Sequence, residues 1–476
     1  MQKLALGLLI WGCFALKFPE LLVLGFALCP LVLLASHVKG VSEPFVWVSL
    51  SIVYWAISGL LSGGIYLPDL GSTTYWAGEG RAFVSYVPLL CMLGWRMGPH
   101  MVPWAMRNLL LVALAGFCMA ALWMLTKVEF LSGGSVGMFF GLQTSHTGAG
   151  MFWSTVCVLV IVYGFETKSK MYQVAGFMAL LPMLGTASRE ALLGMAVAIG
   201  LWIVFKKGVR KYQVAGIVAV AFTGLMLFAG QTFIDRISLL MNPSGMSKIF
   251  TQTINSAGKA EGSSVEHDES GLYNIAMRFL LWKDALGKWT DSPVCGIGFG
   301  RFNDNVHRYS GIHHLCEFAT DGKNNYQSEI ETSTGDVITS TGNAHNTYFQ
   351  TLAELGLPGL ILLVGLWRSF WRRLGWVIRT SNRVLETGVG LSLQDTIFLR
   401  NYAAFAVALR AAIVSTAFGA LVGDALMAPS SMLLMLPMLA VSEALRDRLR
   451  DTVAGAAAAA DKATADVNGL LPVAKA

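Results

Sequence analysis

The chain has 476 residues, of which 54% are apolar and 13% charged, and its mean hydropathy is +0.57. Apolar runs long enough to cross a bilayer recur along most of the sequence, which excludes a soluble globular protein and indicates an integral membrane protein. The formal net charge is +6. This positive balance reflects membrane topology and contact with anionic lipid, and it gives no reason to expect a nucleic-acid partner.

The predicted elements are about twelve membrane-spanning helices, so the predicted fold class is an all-α polytopic membrane protein. The first apolar run, residues 4–16, resembles a signal peptide, but no small-residue cleavage site follows it, so we interpret it as a retained span. The predicted spans cover residues 3–16, 20–37, 43–62, 82–97, 103–125, 149–165, 171–187, 190–206, 212–230, 346–367, 401–425 and 429–445.

Lysine and arginine gather in alternate loops, and such loops are cytoplasmic. The loop positions with this excess are Lys39, 96–107, 168–170, 206–211 and 368–400. Both termini are therefore predicted to be cytoplasmic.

This topology divides the chain into four parts. We expect about nine spans in residues 1–230, a large periplasmic loop with short amphipathic helices in 231–345, about three spans in 346–450, and a flexible cytoplasmic tail in 451–476. Residues 231–344 carry a net charge of about −4, opposite in sign to the whole chain.

Arg189 and Arg81 are predicted on the side of the membrane opposite to the cytoplasm, where positively charged residues are less common. Arg189 follows Ser188 in a tight turn between two spans. One interpretation is structural: the side chain snorkels to the headgroups or pairs with Glu190. The other is that Arg189 binds an anion, because a guanidinium makes bidentate hydrogen bonds to phosphate oxygens. Arg81 at the start of a span allows the same alternatives.

A predicted amphipathic helix at residues 274–289 lies within the large loop, on the membrane or on the helix bundle. Arg278 near its start is either an ordinary solvated charge or a further anion ligand. The Gly-rich turn 296–300 follows this helix and could bring backbone close to a ligand, although a GxGxG pattern alone is weak evidence for a nucleotide site.

His345 precedes a predicted span and follows residues that cap helices well. A helix N-terminus disfavours positive charge, which favours the neutral imidazole that a general base requires. A structural or capping role is the alternative. Asn346, Gln350 and Glu354 recur every four residues and form a polar stripe that must face protein or a wet cavity.

Cysteine and histidine give weaker signals. Cys295 and Cys316 could form a disulfide in an oxidising compartment, or they could stay reduced. His313 and His314 with Glu317 are too sparse for a metal site, so we expect no metal.

The region around His345 resembles the bacterial O-antigen ligase family. His345-Asn346, then nine residues, Gly356, two residues and Gly359 match a family motif of histidine, small polar residue, nine residues, glycine, two residues and glycine. The resemblance implies that Asn346, Gly356 and Gly359 support the site.

Two further segments are similar to this family, which includes O-antigen polymerases and protein O-oligosaccharyltransferases. Residues 278–282, spaced before Pro293 and the turn 296–298, look like the domain that these proteins share. Ser188-Arg189 matches a Ser-Arg turn between spans in the family.

The resemblance implies a glycosyltransferase of the bacterial inner membrane that takes a glycan from undecaprenyl diphosphate at the periplasmic face. His345 would be the base, and Arg189, Arg278 and Arg81 would bind the diphosphate, with no cofactor. In a ligase the acceptor is the lipid A core; in an O-antigen or exopolysaccharide polymerase it is a second lipid-linked glycan. A lipid-glycan transporter is a less favoured alternative because no internal repeat is evident, and a structural scaffold would leave the Arg and His pattern unexplained.

Overall fold

The fold is known from a computed structural model. It describes residues 1–34, 42–61, 89–95, 97–131, 139, 141–143, 146–186, 188–206, 216, 270–298, 302, 313–315, 327–331, 337–341, 344, 346–388, 391–423 and 429–469. The predicted span 212–230 except residue 216, half of the predicted span 82–97 and the first part of the large loop lie outside the described residues.

The described residues are mostly helical. The helices are α1 Gln2–Phe14, α2 Pro19–Leu34, α3 Glu43–Leu61, α4 Met101–Thr126, α5 His146–Glu166, α6 Lys170–Met178, α7 Leu180–Gly185, α8 Arg189–Phe205, α9 Ser270–Asp291, α10 Thr347–Thr387, α11 Leu393–Val422, α12 Pro429–Ala444 and α13 Arg446–Gly469, with a short 3₁₀ helix at Glu129–Leu131.

Four of these helices, α4, α5, α10 and α11, are long and apolar enough to cross a membrane. Shorter apolar helices occur at Gln2–Phe14, Glu20–Leu33, Glu43–Ser58 and Glu190–Phe205. The fold is therefore that of a mainly helical membrane protein. The count of about twelve spans stays a prediction.

Helix α5 lies at the centre of the bundle. Its apolar window Gly148–Glu166 is 94% buried inside the protein, far more than the 39% of α4. A helix that is apolar on every side must be surrounded by lipid or by other helices, and other helices surround α5. Ser154 of α5 and Ser415 of α11 join through their hydroxyls at 2.9 Å, which satisfies two buried polar groups at once.

Three elements differ from the sequence prediction. The predicted span 171–187 is two helices, α6 and α7, because Pro182 has no N–H to bond the carbonyl of Met178. Helix α10 runs about twenty residues beyond the predicted end at 367 and stops only at Gly388, whose φ of 63° suits a helix terminus. The predicted flexible tail is helical as far as Gly469, in keeping with the high helix propensity of its alanines.

A small sheet also departs from the all-α prediction. Strands β1 His313–Leu315, β2 Gln327–Glu331 and β3 Val337–Thr341 form an antiparallel sheet in the order β1-β2-β3. His314 pairs with Ile330, and Ile330 pairs with Ile338. The strands are too short and polar to show clear period-two alternation, so the sequence carried little signal for them.

Two contacts join segments that the charge pattern predicts on the same side of the membrane. Arg373 lies 3.7 Å from Glu43, which joins two segments predicted to be cytoplasmic. The amide of Lys17 donates to the carbonyl of Leu142 at 2.9 Å, which joins two turns predicted on the opposite side. Segments assigned to one side thus meet at one end of the bundle.

Close packing of α4 on α5 yields a test. A Cβ on Gly116 would lie 1.9 Å from the ring of Trp153, which is 1% exposed. Gly116→Ala should therefore lower the free energy of unfolding by about 1–3 kcal/mol, measured by thermal unfolding in detergent.

Gly200→Ala in α8 is the matched control, because nothing lies within 4 Å of the added Cβ. Equal melting temperatures for the two variants would show that α4 does not pack on Trp153 as described.

Candidate active site

The turn before α8 is held by its own hydroxyl groups. Ser188 caps the helix by accepting from the amide of Ala191 at 3.4 Å. Thr186 is fully buried and donates to the carbonyl of Met183 at 2.7 Å. These bonds set Arg189 and Glu190 as the first two residues of α8, at the positive end of its dipole.

Glu190 is the partner of Arg278. Nη2 of Arg278 lies 2.5 Å from Oε1 of Glu190, and the two side chains are 30% and 15% exposed. The sequence predicted Arg278 as a candidate but considered Glu190 only as a partner of Arg189. A charge-assisted hydrogen bond at this depth holds the guanidinium in a defined position and joins α9 to the start of α8.

Asn346 fixes the start of α10. Its Oδ1 accepts from the amides of Tyr348 and Phe349 at 3.0 and 3.1 Å, and its Nδ2 donates to the carbonyl of Leu421 at 2.7 Å. One buried amide therefore caps α10 and ties it to the end of α11.

His345 and Arg81 lie outside the described residues, as does Cys316, whereas Cys295 is a free thiol. The neighbours of His345 on both sides are described. Ala344 is 0% exposed and Asn346 is 4% exposed.

Gly423, just after α11, lies close to both the start of α10 and the start of α8. The hydroxyl of Thr347 donates to the carbonyl of Gly423 at 3.5 Å. A Cβ on Gly423 would lie 3.3 Å from Cγ of Glu190. The N-terminal turn of α10 and the Arg278–Glu190 pair therefore contact the same residue. The structure thus brings Arg278 and the backbone of Arg189 close to Thr347, two residues after His345.

The polar stripe on α10 faces protein, as its spacing predicted. Gln350 and Glu354 are both 0% exposed, and the amide of Gln350 donates to Glu354 at 3.2 Å. The backbone amide of Phe302 donates to the same carboxylate at 3.2 Å. Glu354 therefore anchors part of the large loop on α10.

Helix α10 is interrupted at Gly356, whose φ of 66° and ψ of −169° lie in a region that only glycine adopts readily. At the break, the carbonyls of Ala353 and Glu354 accept hydrogen bonds from outside the helix. The amide of Ile297 donates to Ala353 at 3.0 Å, and the amide of Gly298 donates to Glu354 at 2.9 Å. The Gly-rich turn predicted to approach a ligand instead approaches the backbone of α10.

Both contacting segments need glycine. A Cβ on Gly356 would lie 2.4 Å from the carbonyl oxygen of Val294, and a Cβ on Gly296 would lie 2.2 Å from the backbone of Glu354. Gly359 packs on Leu355, where a Cβ would lie 2.2 Å from the Cβ already present. The spacing of the two motif glycines is thus explained by the break and its packing.

Helix α3 closes the same junction. The hydroxyl of Tyr54 lies 2.5 Å from the carbonyl of Val294 and 2.7 Å from that of Leu355. Ser58 donates to the carbonyl of Cys295 at 2.8 Å. Sequence reasoning missed both residues, because hydroxyls inside an apolar helix carry no signal of a distant partner.

Helix α9 lies on the bundle. Leu281 and Ala285 are buried, and Trp282 contacts Phe349 with ring centroids 5.4 Å apart. Leu286 on the same helix is 39% exposed. Helix α9 therefore packs on α10 through the side that carries Leu281, Trp282 and Ala285.

A buried ion pair that the sequence reasoning missed stiffens α9. Lys288 and Asp284 are 2% and 0% exposed and lie 3.0 Å apart, and the ammonium of Lys288 also donates to the carbonyl of Phe302. The spacing of four residues was a readable signal. Within the described ranges, no group of three or more His, Cys, Asp or Glu side chains could hold a metal ion.

Comparison with protein families assigns this region. Residues 174–364 match the family model described as O-antigen ligase. The match is consistent with the O-antigen ligase and polymerase family and implies a membrane enzyme of the ligase or polymerase type. It includes α8, α9 and the break in α10, and it confirms the resemblance seen in the sequence. No curated protein matches the chain.

The break in α10 yields a second test. Gly356→Ala should lower the free energy of unfolding by about 3 kcal/mol, because the backbone at this position is strained for any residue with a Cβ and the added Cβ would clash with Val294. The measurement is thermal unfolding of the purified protein.

Gly388→Ala is the control, because Gly388 also has a positive φ of 63° but nothing lies within 4 Å of an added Cβ. This variant should lose only about 1 kcal/mol. If both lost the same amount, the docking of residues 293–298 on α10 would contribute nothing.

Proposed function

We propose that the protein is an inverting, metal-independent glycosyltransferase that moves a glycan from undecaprenyl diphosphate to an acceptor hydroxyl at the periplasmic face of the inner membrane. The observation that carries this proposal is the position of the Arg278–Glu190 pair. Glu190 of this pair and Thr347, two residues after His345, both lie against Gly423 at the end of α11. The favoured acceptor is the lipid A core, as in an O-antigen ligase.

In the proposed reaction, His345 takes the proton from the acceptor hydroxyl as its oxygen attacks the anomeric carbon. The bond between that carbon and the diphosphate oxygen breaks, and undecaprenyl diphosphate leaves from the opposite face with the electron pair. A base in this position contributes roughly a hundredfold to ten-thousandfold in rate. No cofactor is needed, because the diphosphate is already a fair leaving group.

Arg278 and Arg189, with Arg81, bind the diphosphate in this proposal. A guanidinium has several N–H donors, so Arg278 can contact Glu190 and a phosphate oxygen together. Glu190 would then orient Arg278 before the substrate arrives, which removes an entropic cost of binding. A well-aimed donor lowers the barrier by about 3 kcal/mol as charge develops on the leaving oxygen.

The buried surroundings support an electrostatic role for these arginines. The Arg278–Glu190 pair is only partly exposed, and the residues flanking His345 are buried. Water is therefore scarce near the start of α10. Charge interactions are stronger where water is scarce, so the same N–H donors would stabilise a diphosphate more here than on an open surface.

A first test targets the base. His345→Ala should abolish glycan transfer, because no other group at this position would accept the proton, while expression and binding of the lipid-linked glycan persist. Transfer is measured with purified protein in liposomes and a labelled lipid-linked glycan.

His100→Ala is the matched control, since His100 is exposed in a loop predicted to be cytoplasmic. It should leave transfer unchanged. An active His345→Ala variant would remove the imidazole from the mechanism.

A second test targets the diphosphate. Arg278→Gln should weaken binding of the lipid diphosphate about tenfold to a hundredfold, which is the usual effect of losing a hydrogen bond from a charged group. Binding is measured by competition with undecaprenyl diphosphate.

Lys283→Gln removes the same charge from the exposed side of the same helix and should leave binding nearly unchanged. Equal losses in both variants would indicate general attraction by positive charge and contradict a specific role for Arg278.

The acceptor decides between ligase and polymerase. The wild-type protein in liposomes would be given the lipid-linked glycan with lipid A core, or with a second lipid-linked glycan alone. A new linkage to the core supports the ligase, and chain extension without the core supports the polymerase and contradicts the favoured acceptor.

A further inference from the structure

A cavity of about 680 Å³ lies between α8, α10 and α11, beside the end of α5. Its lining is mostly apolar, and the polar side chains in it are Glu166, Lys206, Asn382 and Arg410. The cavity lies at the end of α8 opposite to Glu190. It is therefore separate from the candidate active site.

The charges in this cavity are unbalanced. Glu166 lies 2.5 Å from Lys206 and accepts from the indole of Trp202 at 2.9 Å, so this carboxylate is already neutralised. The guanidinium carbon of Arg410 lies 3.7 Å from the centroid of the Trp371 ring. Its Nε is buried and has no hydrogen-bond partner in the part of the chain that the structure describes. One cation thus faces the cavity without a counter-ion there.

A second guanidinium approaches the first. Nη1 of Arg379 and Nη1 of Arg410 lie 3.4 and 3.7 Å from the same point, a Cβ placed on Gly375. Both guanidiniums therefore lie close to Gly375. Two like charges brought near one place repel each other, whereas an anion between them would attract both. Planar guanidiniums are also well suited to phosphate oxygens.

The surroundings of the cavity are apolar and exposed. Leu201 is 40% exposed, Phe205 is 80% exposed and Trp371 is 38% exposed. A small soluble anion has no apolar part to cover these side chains, whereas a phospholipid has acyl chains beside its phosphate. Lys206 follows the end of the apolar helix α8, which places the cavity at the level of lipid headgroups.

We propose that this cavity binds the phosphate of an anionic phospholipid from the cytoplasmic leaflet, with Arg410 and Arg379 on the phosphate and the acyl chains along α8. Basic pockets between membrane helices on this side suit such headgroups. The bound lipid would join α8, which carries Arg189 and Glu190 at its other end, to α10 and α11. The proposal does not depend on the glycosyltransferase activity.

The test measures lipid affinity directly. The full-length protein in neutral detergent is titrated with phosphatidylglycerol or phosphatidylcholine, and binding is followed by thermal unfolding and by native mass spectrometry. We expect one phosphatidylglycerol to be retained and to raise the melting temperature more than phosphatidylcholine does. Glycerol 3-phosphate, the soluble headgroup analogue, should have little effect.

Arg410→Gln should weaken the affinity for phosphatidylglycerol about tenfold or more, as expected for a lost charge-assisted hydrogen bond. Arg379→Gln changes an exposed side chain and should fold normally while losing part of the affinity. It keeps the test decisive if Arg410→Gln does not fold.

Arg383→Gln is the matched control. Neither Arg379 nor Arg383 is in the cavity wall and both are exposed on the same helix, but of the two it is Arg379 whose Nη1 lies with that of Arg410 near Gly375. It should keep wild-type affinity. The proposal is overturned if this control loses as much as Arg379→Gln, if both lipids bind equally, or if glycerol 3-phosphate binds as well as the lipid.

Discussion

The break of α10 at Gly356 is the constraint on which the candidate site depends. A helix interrupted inside an apolar bundle leaves backbone carbonyls that must find donors, since water is not available there. Residues 297 and 298 supply those donors, so the turn after α9 is bound to α10. The turn and α9 are consecutive in the chain, and α9 is thereby held in place from its C-terminal end.

That attachment positions the charge carried by the middle of α9. Arg278 lies in the middle part of this helix and reaches Glu190 at the start of α8. The buried Lys288–Asp284 pair stiffens the helix in between. A charge placed in this way costs little to orient when a substrate binds, and such preorganisation is the usual source of electrostatic catalysis. The family motif therefore combines His345, the base of the proposed mechanism, with glycines that allow a different helix to dock on α10.

The two ends of the bundle use arginine differently. At the candidate active site Arg278 has a carboxylate partner, and in the proposed mechanism a substrate diphosphate joins the pair. In the opposite cavity Arg410 lies on an aromatic ring beside Arg379, with no carboxylate against it among the described residues. The first arrangement suits a substrate that binds and leaves. The second suits a lipid that remains, because without an anion the two cations repel each other.

The sequence by itself determined the membrane class, most helix positions and the family resemblance, since these follow from local composition, spacing and motif. It also singled out Arg278, Asn346 and the motif glycines as candidate site residues. The partners of these residues came only from the tertiary structure: Glu190 for Arg278, Leu421 for Asn346 and residues 293–298 for Gly356. Such contacts join positions many tens of residues apart. Their formation depends on which helix faces pack together, and that is a property of the whole bundle rather than of any one segment.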